Sequence, residues 1–204
     1  LARRVGNMKC PVLCANYDFT GTPLEGKVKP YTIMRKAGRK VGVIGLLTDL
    51  STVVSKEVAA QLKYQNPASV ADRYASQLKQ EGCDLVIALT HLGYEIAAYT
   101  DVMLAGQTSN IDVIVGGHSH TYLKDLKKFK NAEGKDVVVV TDGKWGLDMG
   151  HLSVSFQKNR LTELYAQLKD QGVFPSDGSW FPYPAYKDRE GWNAMMGEHV
   201  TYVI

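Results

Sequence analysis

Cysteine is scarce in this chain of 204 residues: there are three, Cys10, Cys14 and Cys83. So small and odd a number at this length is not a disulfide framework. If Cys10 and Cys14 share a strand they lie about 13 Å apart, at ~3.3 Å per residue, too far to bridge. All three are expected to serve as small buried hydrophobes. Long apolar runs are also missing. The longest, 41–47, 85–89 and 137–140, fall well short of the ~18 residues that a membrane span requires. Charge of one sign is missing too. With 24 basic and 21 acidic residues the formal net charge is +3, too balanced for a binder of nucleic acid polymers. Internal repeats and low-complexity tracts are absent. The first residue is Leu1 rather than Met, so the chain is expected to be processed or part of something longer, and a leader peptide could not be visible in it.

What is present suits a folded domain. Hydrophobic residues make up 45% and charged residues 22%, close to a globular average. A chain of this length can bury roughly two-thirds of its unfolded surface. Short runs rich in β-branched residues, bounded by Gly, Asp or Asn, predict strands at 12–17, 31–35, 41–47, 85–90, 113–115, 137–141 and 152–156. Most are continuously apolar, which predicts burial on both faces. The last alternates Leu152, Val154 and Phe156 with serines, which predicts one wet face. Between them, 69–81 places Val70, Tyr74, Ala75 and Leu78 on one helical face, opened by Asn66-Pro67 and closed by Gly82. A second amphipathic helix is predicted over 95–104. Strands alternating with helices imply an α/β layered domain with parallel strands. Residues 36–40 predict a hairpin turn around Gly38, and 124–135 a solvated excursion turning at Glu133-Gly134. Its lysines, Lys124, Lys127, Lys128 and Lys130, read as a wet face, with steering of an anionic substrate as the functional alternative. Beyond about residue 168 the texture changes to Gly, Ser, Pro and aromatics without helix or strand period.

The histidines carry the chemical signal. His91 directly follows the strand at 85–90. His118 and His120 follow the strand ending at Val115, in Gly116-Gly117-His118-Ser119-His120. Both groups sit just past the carboxyl ends of buried strands, where ligands bind in open α/β sheets. If the strands are parallel, the loops open on one edge and the imidazoles can converge. Imidazole is the commonest neutral metal ligand near physiological pH. Gly116 and Gly117 let the backbone turn sharply and approach a bound group. Metal binding by His91, His118 and His120 is therefore expected, on one ion or on two neighbouring ions. His151 reads as structural, and His199 lies in the aromatic-rich tail without an assigned role. No acidic partner is obvious: Asp49 and Asp142 follow strands but read as turn residues. Three histidines alone would also suit a mononuclear zinc site with an open water position.

Thr90-His91-Leu92-Gly93, followed about 25 residues later by Gly116-Gly117-His118-Ser119-His120, resembles the carboxyl half of the calcineurin-like metallophosphoesterase domain. More narrowly it resembles the 5′-nucleotidase / UDP-sugar hydrolase family. Weaker similarities lie in Pro11-Val12-Leu13-Cys14-Ala15-Asn16, in Val41-Gly42-Val43-Ile44-Gly45-Leu46 with Thr48-Asp49, and in Trp145-Gly146 with Gly150-His151-Leu152.

The resemblance implies a partial four-layer α/β/β/α metallophosphoesterase sandwich over residues 1–168, with 169–204 an unassigned tail. It implies two divalent metal ions (Zn, Mn or similar), His91 and His118 on one and His120 on the other. It implies hydrolysis of phosphate esters in nucleotides or nucleotide sugars, and a periplasmic or secreted location. The family's Asp-x-His, Gly-Asp and Asn-His-Glu segments, which supply the bridging Asp and the catalytic histidine, have no counterpart here. Their place is before residue 1, so the catalytic residues are not among these 204, and the chain is expected to be inactive alone. Two readings of other classes stay open: a non-catalytic metal- or partner-binding module, and a mononuclear zinc hydrolase.

Overall fold

A computed structural model describes residues 1–157, 160–162 and 199–203. Its centre is one six-stranded mixed sheet, built from β1 (Tyr31–Lys36), β2 (Arg39–Leu47), β3 (Leu85–His91), β4 (Val113–Val115), β5 (Lys127–Lys130) and β6 (Asp136–Val140). The spatial order is β1-β2-β3-β4-β6-β5. The inner four, β2, β3, β4 and β6, are parallel. Both edge strands run antiparallel to their neighbours. Two helices, α1 (Pro67–Gln80) and α2 (Asp101–Gln107), make the crossovers that parallel pairing demands.

Local chemistry sets the element ends. The Asn66 side chain caps α1 by accepting from the Ser69 backbone N–H at 3.1 Å, Pro67 fills the first turn, and Gly82 follows the end at φ +79°. The β1–β2 hairpin turns through Ala37 and Gly38, both at positive φ, the pattern that tight hairpins require. At the amino ends of the strands two carboxylates act as staples. Asp84 accepts from Arg39 at 3.0 Å and from the Lys40 backbone N–H at 2.7 Å, and these bonds hold its carboxyl below the usual range. Asp112 accepts from Lys79 and from the Val86 backbone N–H, each at 2.7 Å.

The main core lies between the sheet and the helices. Ile44, Val86, Val137 and Val139 meet Leu78 of α1 and Leu104 of α2, all fully buried. Gly42 exists for this packing: a β-carbon there would lie 2.7 Å from Leu78 Cδ1. On the opposite face Leu85, Val113, Val138 and Val140 form a second, smaller cluster with Val41, Ile87, Leu152, Val154 and Phe156. Upstream of the sheet, the buried Asn16 side chain donates to the Leu47 carbonyl at 2.7 Å and accepts from its N–H at 2.9 Å. Tyr17 Oη donates to the Thr48 carbonyl at 3.0 Å and accepts from the Leu50 N–H at 2.8 Å. These bonds fix the end of β2.

The α/β reading and the central strands hold, but several details differ. The segment 12–17 forms two short pieces, Val12–Leu13 and Tyr17–Asp18, because Asn16 turns inward between them. The second helix begins at Asp101 rather than 95: Thr100 caps it, accepting from the Met103 N–H at 3.2 Å. The solvated excursion contains edge strand β5, which partly buries Phe129 against Tyr94 (ring centroids 6.3 Å apart) while Lys127, Lys128 and Lys130 face water. Charged side chains of this kind guard an edge against further pairing. The strand at 152–156 is broken at Val154 into Met149–Ser153 and Ser155–Gln157. Leu89 is 50% exposed, so β3 is not covered on both faces to its end. Cys14 and Cys83 are buried as expected, but Cys10 is exposed. Burial pushes the Cys14 thiol up to about 11, which makes it inert as a nucleophile. Among the described residues no helix is long and apolar enough to cross a membrane. Most of the aromatic tail lies outside the described residues. Of it, His199–Val203 pairs in parallel with Met149–Ser153.

Candidate functional site

The parallel strands put their carboxyl ends on one edge, and the histidine loops open there. His91 closes β3 and is exposed; its carbonyl accepts from the Thr48 N–H at 3.1 Å, tying it to the end of β2. The loop after β4 starts at Gly116, whose N–H donates to the Val140 carbonyl at 2.8 Å. That loop returns along β6, with the Leu123 N–H on the Thr141 carbonyl at 3.1 Å and the Gly143 N–H on the Thr121 carbonyl at 3.0 Å. The loop is therefore held between the ends of β4 and β6.

Within the loop His118 has φ +78° and His120 φ +56°. Left-handed backbone costs an L-residue about 1–2 kcal/mol, and such strain concentrates at functional sites. His118 meets His91 ring edge to ring face, with centroids 5.0 Å apart. Glycines line the two rings. A β-carbon on Gly117 would lie 3.4 Å from His91 Nδ1, and one on Gly93, at φ +101°, would lie 3.5 Å from His118 Cδ2. Ser119 joins the two loops, its Oγ accepting from the Tyr94 N–H at 3.0 Å and lying 2.8 Å from Thr121 Oγ1.

Partial burial, and then the positive charges that His118 and His120 could carry, hold the His91 pKa below its ordinary value. A neutral imidazole keeps its lone pair for a cation. Imidazole donors suit borderline divalent ions such as zinc. Among the described residues, however, no three His, Cys, Asp or Glu side chains are grouped closely enough to hold a metal ion. The structure brings His91 and His118 into contact and puts His120 within electrostatic reach. In donor type these imidazoles suit a divalent cation, and of the three the structure puts His91 and His118 in contact.

The remaining polar groups at this edge serve the backbone. Asp49 caps a short turn of helix, Leu50–Thr52, by accepting from the Ser51 N–H at 2.9 Å, and Asp142 accepts from the Gly150 N–H at 3.1 Å. Asp49 is a turn residue, as the sequence implied, whereas Asp142 forms an isolated antiparallel bridge with Tyr122. His151 is exposed on Met149–Ser153, away from the histidine loops in the chain. Sequence reasoning missed Asp101. Its carboxyl is fully buried beneath the two loops and accepts from Thr90 Oγ1 at 2.5 Å. The run Thr100-Asp101 signals a helix start, and nothing in it signals that the second residue points inward.

The NAD 5′-nucleotidase of Haemophilus influenzae is 32% identical over 176 residues, which cover 79% of this chain and 28% of that protein. A solved 5′-nucleotidase precursor from Thermus thermophilus superposes with a TM-score of 0.67 at 29% identity, covering 79% of this chain and 34% of that one. Its homologues are 5′-nucleotidases, and its structural neighbours include a calcineurin-like phosphoesterase. The calcineurin-like phosphoesterase YfkN from Bacillus subtilis superposes with a TM-score of 0.55 at 25% identity, covering 78% of this chain and 54% of that one. No family model matches the chain. The fold is therefore part of the metallophosphoesterase α/β sandwich, and the chain spans about a quarter to a third of the full-length relatives.

Proposed function

We propose that this chain supplies the histidine side of a metal-dependent phosphoesterase acting on nucleotides. His91 and His118 would hold one divalent cation and His120 a second. The carrying observation is the paired imidazoles of His91 and His118, with His118 and His120 both on left-handed backbone, at the carboxyl edge of four parallel strands. When bound, such ions polarise phosphoryl oxygens and supply a hydroxide for in-line attack. The chain's own contribution is geometric and electrostatic. The strand ends and the Ser119 bridge hold the imidazoles in place, and His91 stays unprotonated near neutral pH. Residues 1–168 form the carboxyl half of the catalytic domain in this reading. The nucleophile-orienting carboxylates and the catalytic histidine come from another part of the enzyme, so this chain alone turns over negligibly. Nucleotide sugars are a second substrate class of the same chemistry. The relative from Thermus thermophilus is named a precursor, which supports export to the periplasm or the medium.

Metal uptake tests the reading. In titration with zinc or manganese the wild-type protein is expected to bind metal weakly, and His118→Ala to lose at least tenfold in affinity. Uptake unaffected by His118→Ala would overturn the site. Two ions per complete enzyme are expected. One tightly bound zinc, with hydrolysis of an activated ester by this chain alone, would instead establish the mononuclear hydrolase.

A further inference from the structure

We infer that Asp101 is a positioning residue that holds the two histidine loops at a fixed separation. The inference rests on the metal-site reading above and names the group behind it.

Asp101 brackets His91 from both sides. Its backbone N–H donates to the Gly93 carbonyl at 2.8 Å, two residues after His91. Its Oδ1 accepts from Thr90 Oγ1 at 2.5 Å, one residue before His91. The same Thr90 hydroxyl lies 3.5 Å from the Val115 carbonyl, at the end of β4. The other carboxyl oxygen, Oδ2, fills the space over Gly116, where any β-carbon would collide with it. Gly116 stands two residues before His118. One buried carboxyl thus touches the roots of both loops whose imidazoles meet at 5.0 Å.

This placement has an energetic signature. Asp101 is 0% exposed, and its Oδ2 has no hydrogen-bond partner among the described residues. Capping does not explain the arrangement, because Thr100 already caps α2. An Asp in the first turn of a helix gains from the helix dipole when it faces the free N–H groups or water. Here it points instead into the core under the loops, although an apolar residue there would avoid an unpaired buried polar atom. Residues that orient metal ligands from behind typically change metal affinity about 10–100-fold when removed.

Cobalt(II) binding to the protein, followed by its visible absorption, tests the role with wild type, Asp101→Ala, Asp101→Asn and His118→Ala. Asp101→Ala is expected to weaken cobalt binding about 10–100-fold. Asp101→Asn keeps the shape and the acceptor for Thr90, and is expected to stay within about threefold of wild type. In the metal-free protein, the imidazole proton shifts of His91 and His118 should move in Asp101→Ala and return in Asp101→Asn, which a loss of global stability alone would not produce. His118→Ala tests the underlying reading separately: if it binds cobalt like wild type, the histidine site fails whatever Asp101 does. If His118→Ala loses cobalt while Asp101→Ala binds as tightly as wild type with unchanged imidazole shifts, the positioning role is overturned. Should Asp101→Ala not fold, Thr90→Val removes the same hydrogen bond from the other side. Weakened cobalt binding with an unchanged far-ultraviolet spectrum is then expected, and unchanged binding overturns the inference.

Discussion

At the scale of single residues, burial sets Asp101 apart from the other carboxylates among the described residues. Burial, only partly opposed by the hydrogen bond from Thr90, pushes the Asp101 carboxyl up from 3.8 to about 7. A carboxyl raised in the folded state holds a proton that the unfolded chain has released. Its contribution to stability is full below about pH 4 and fades as pH rises to about 7. Urea midpoints of wild type are therefore expected to fall over that range relative to Asp101→Asn, by an amount on the order of a few kcal/mol once converted. Parallel pH profiles for the two proteins would show that the carboxyl does not titrate there. Gly116→Ala drives a methyl into the same carboxyl. Overpacking of a closed site typically costs about 1–3 kcal/mol, so its urea midpoint should drop measurably.

Elements in this fold are defined by their ends. The cap of α1 is legible as Asn66-Pro67 before a helical apolar stripe, and the structure places the Asn66 side chain on the Ser69 N–H. Asn66→Ala is expected to destabilise the protein by about 1 kcal/mol, read as a lowered thermal midpoint with the same folded spectrum. The start of α2 is not legible, because the stretch from Glu95 has acceptable helical spacing. Tertiary bonds decide otherwise: the Asp101 N–H bonds the Gly93 carbonyl, and Gly93 at φ +101° leads the chain out of β3. Edge strand β5 is hidden in a lysine-rich stretch. Its composition reads as solvated, and pairing with β6 makes it a strand whose single apolar residue, Phe129, faces inward.

At the scale of the whole molecule, the two sheet faces differ. The helical side is closed by Leu78 and Leu104, both fully buried. The other side carries Ile87, Leu89 and Val115 in register, with Leu89 paired to Val115 and half exposed. An apolar patch at the end of a sheet favours self-association at high salt. Leu89→Gln is expected to reduce concentration-dependent association of this chain in sedimentation velocity. An unchanged distribution would mean that this face takes no part.

The sequence by itself determined the class of fold and pointed to the edge where the histidine loops open. Apolar runs of strand length, alternating with one clearly capped helix, required a layered α/β domain. Two histidine groups following strands required their side chains to share an edge once those strands ran parallel. These are short-range signals, carried by period, capping and spacing. What the tertiary structure alone decided depends on contacts between distant segments: the 5.0 Å meeting of His91 and His118, the left-handed backbone of His118 and His120, and the inward carboxyl of Asp101 beneath them. No local pattern encodes an Asp that leaves the mouth of its own helix to fill the space over Gly116. That choice follows from the packing of both loop roots, Thr90 and Gly116, against the carboxyl, and it exists only in the folded chain.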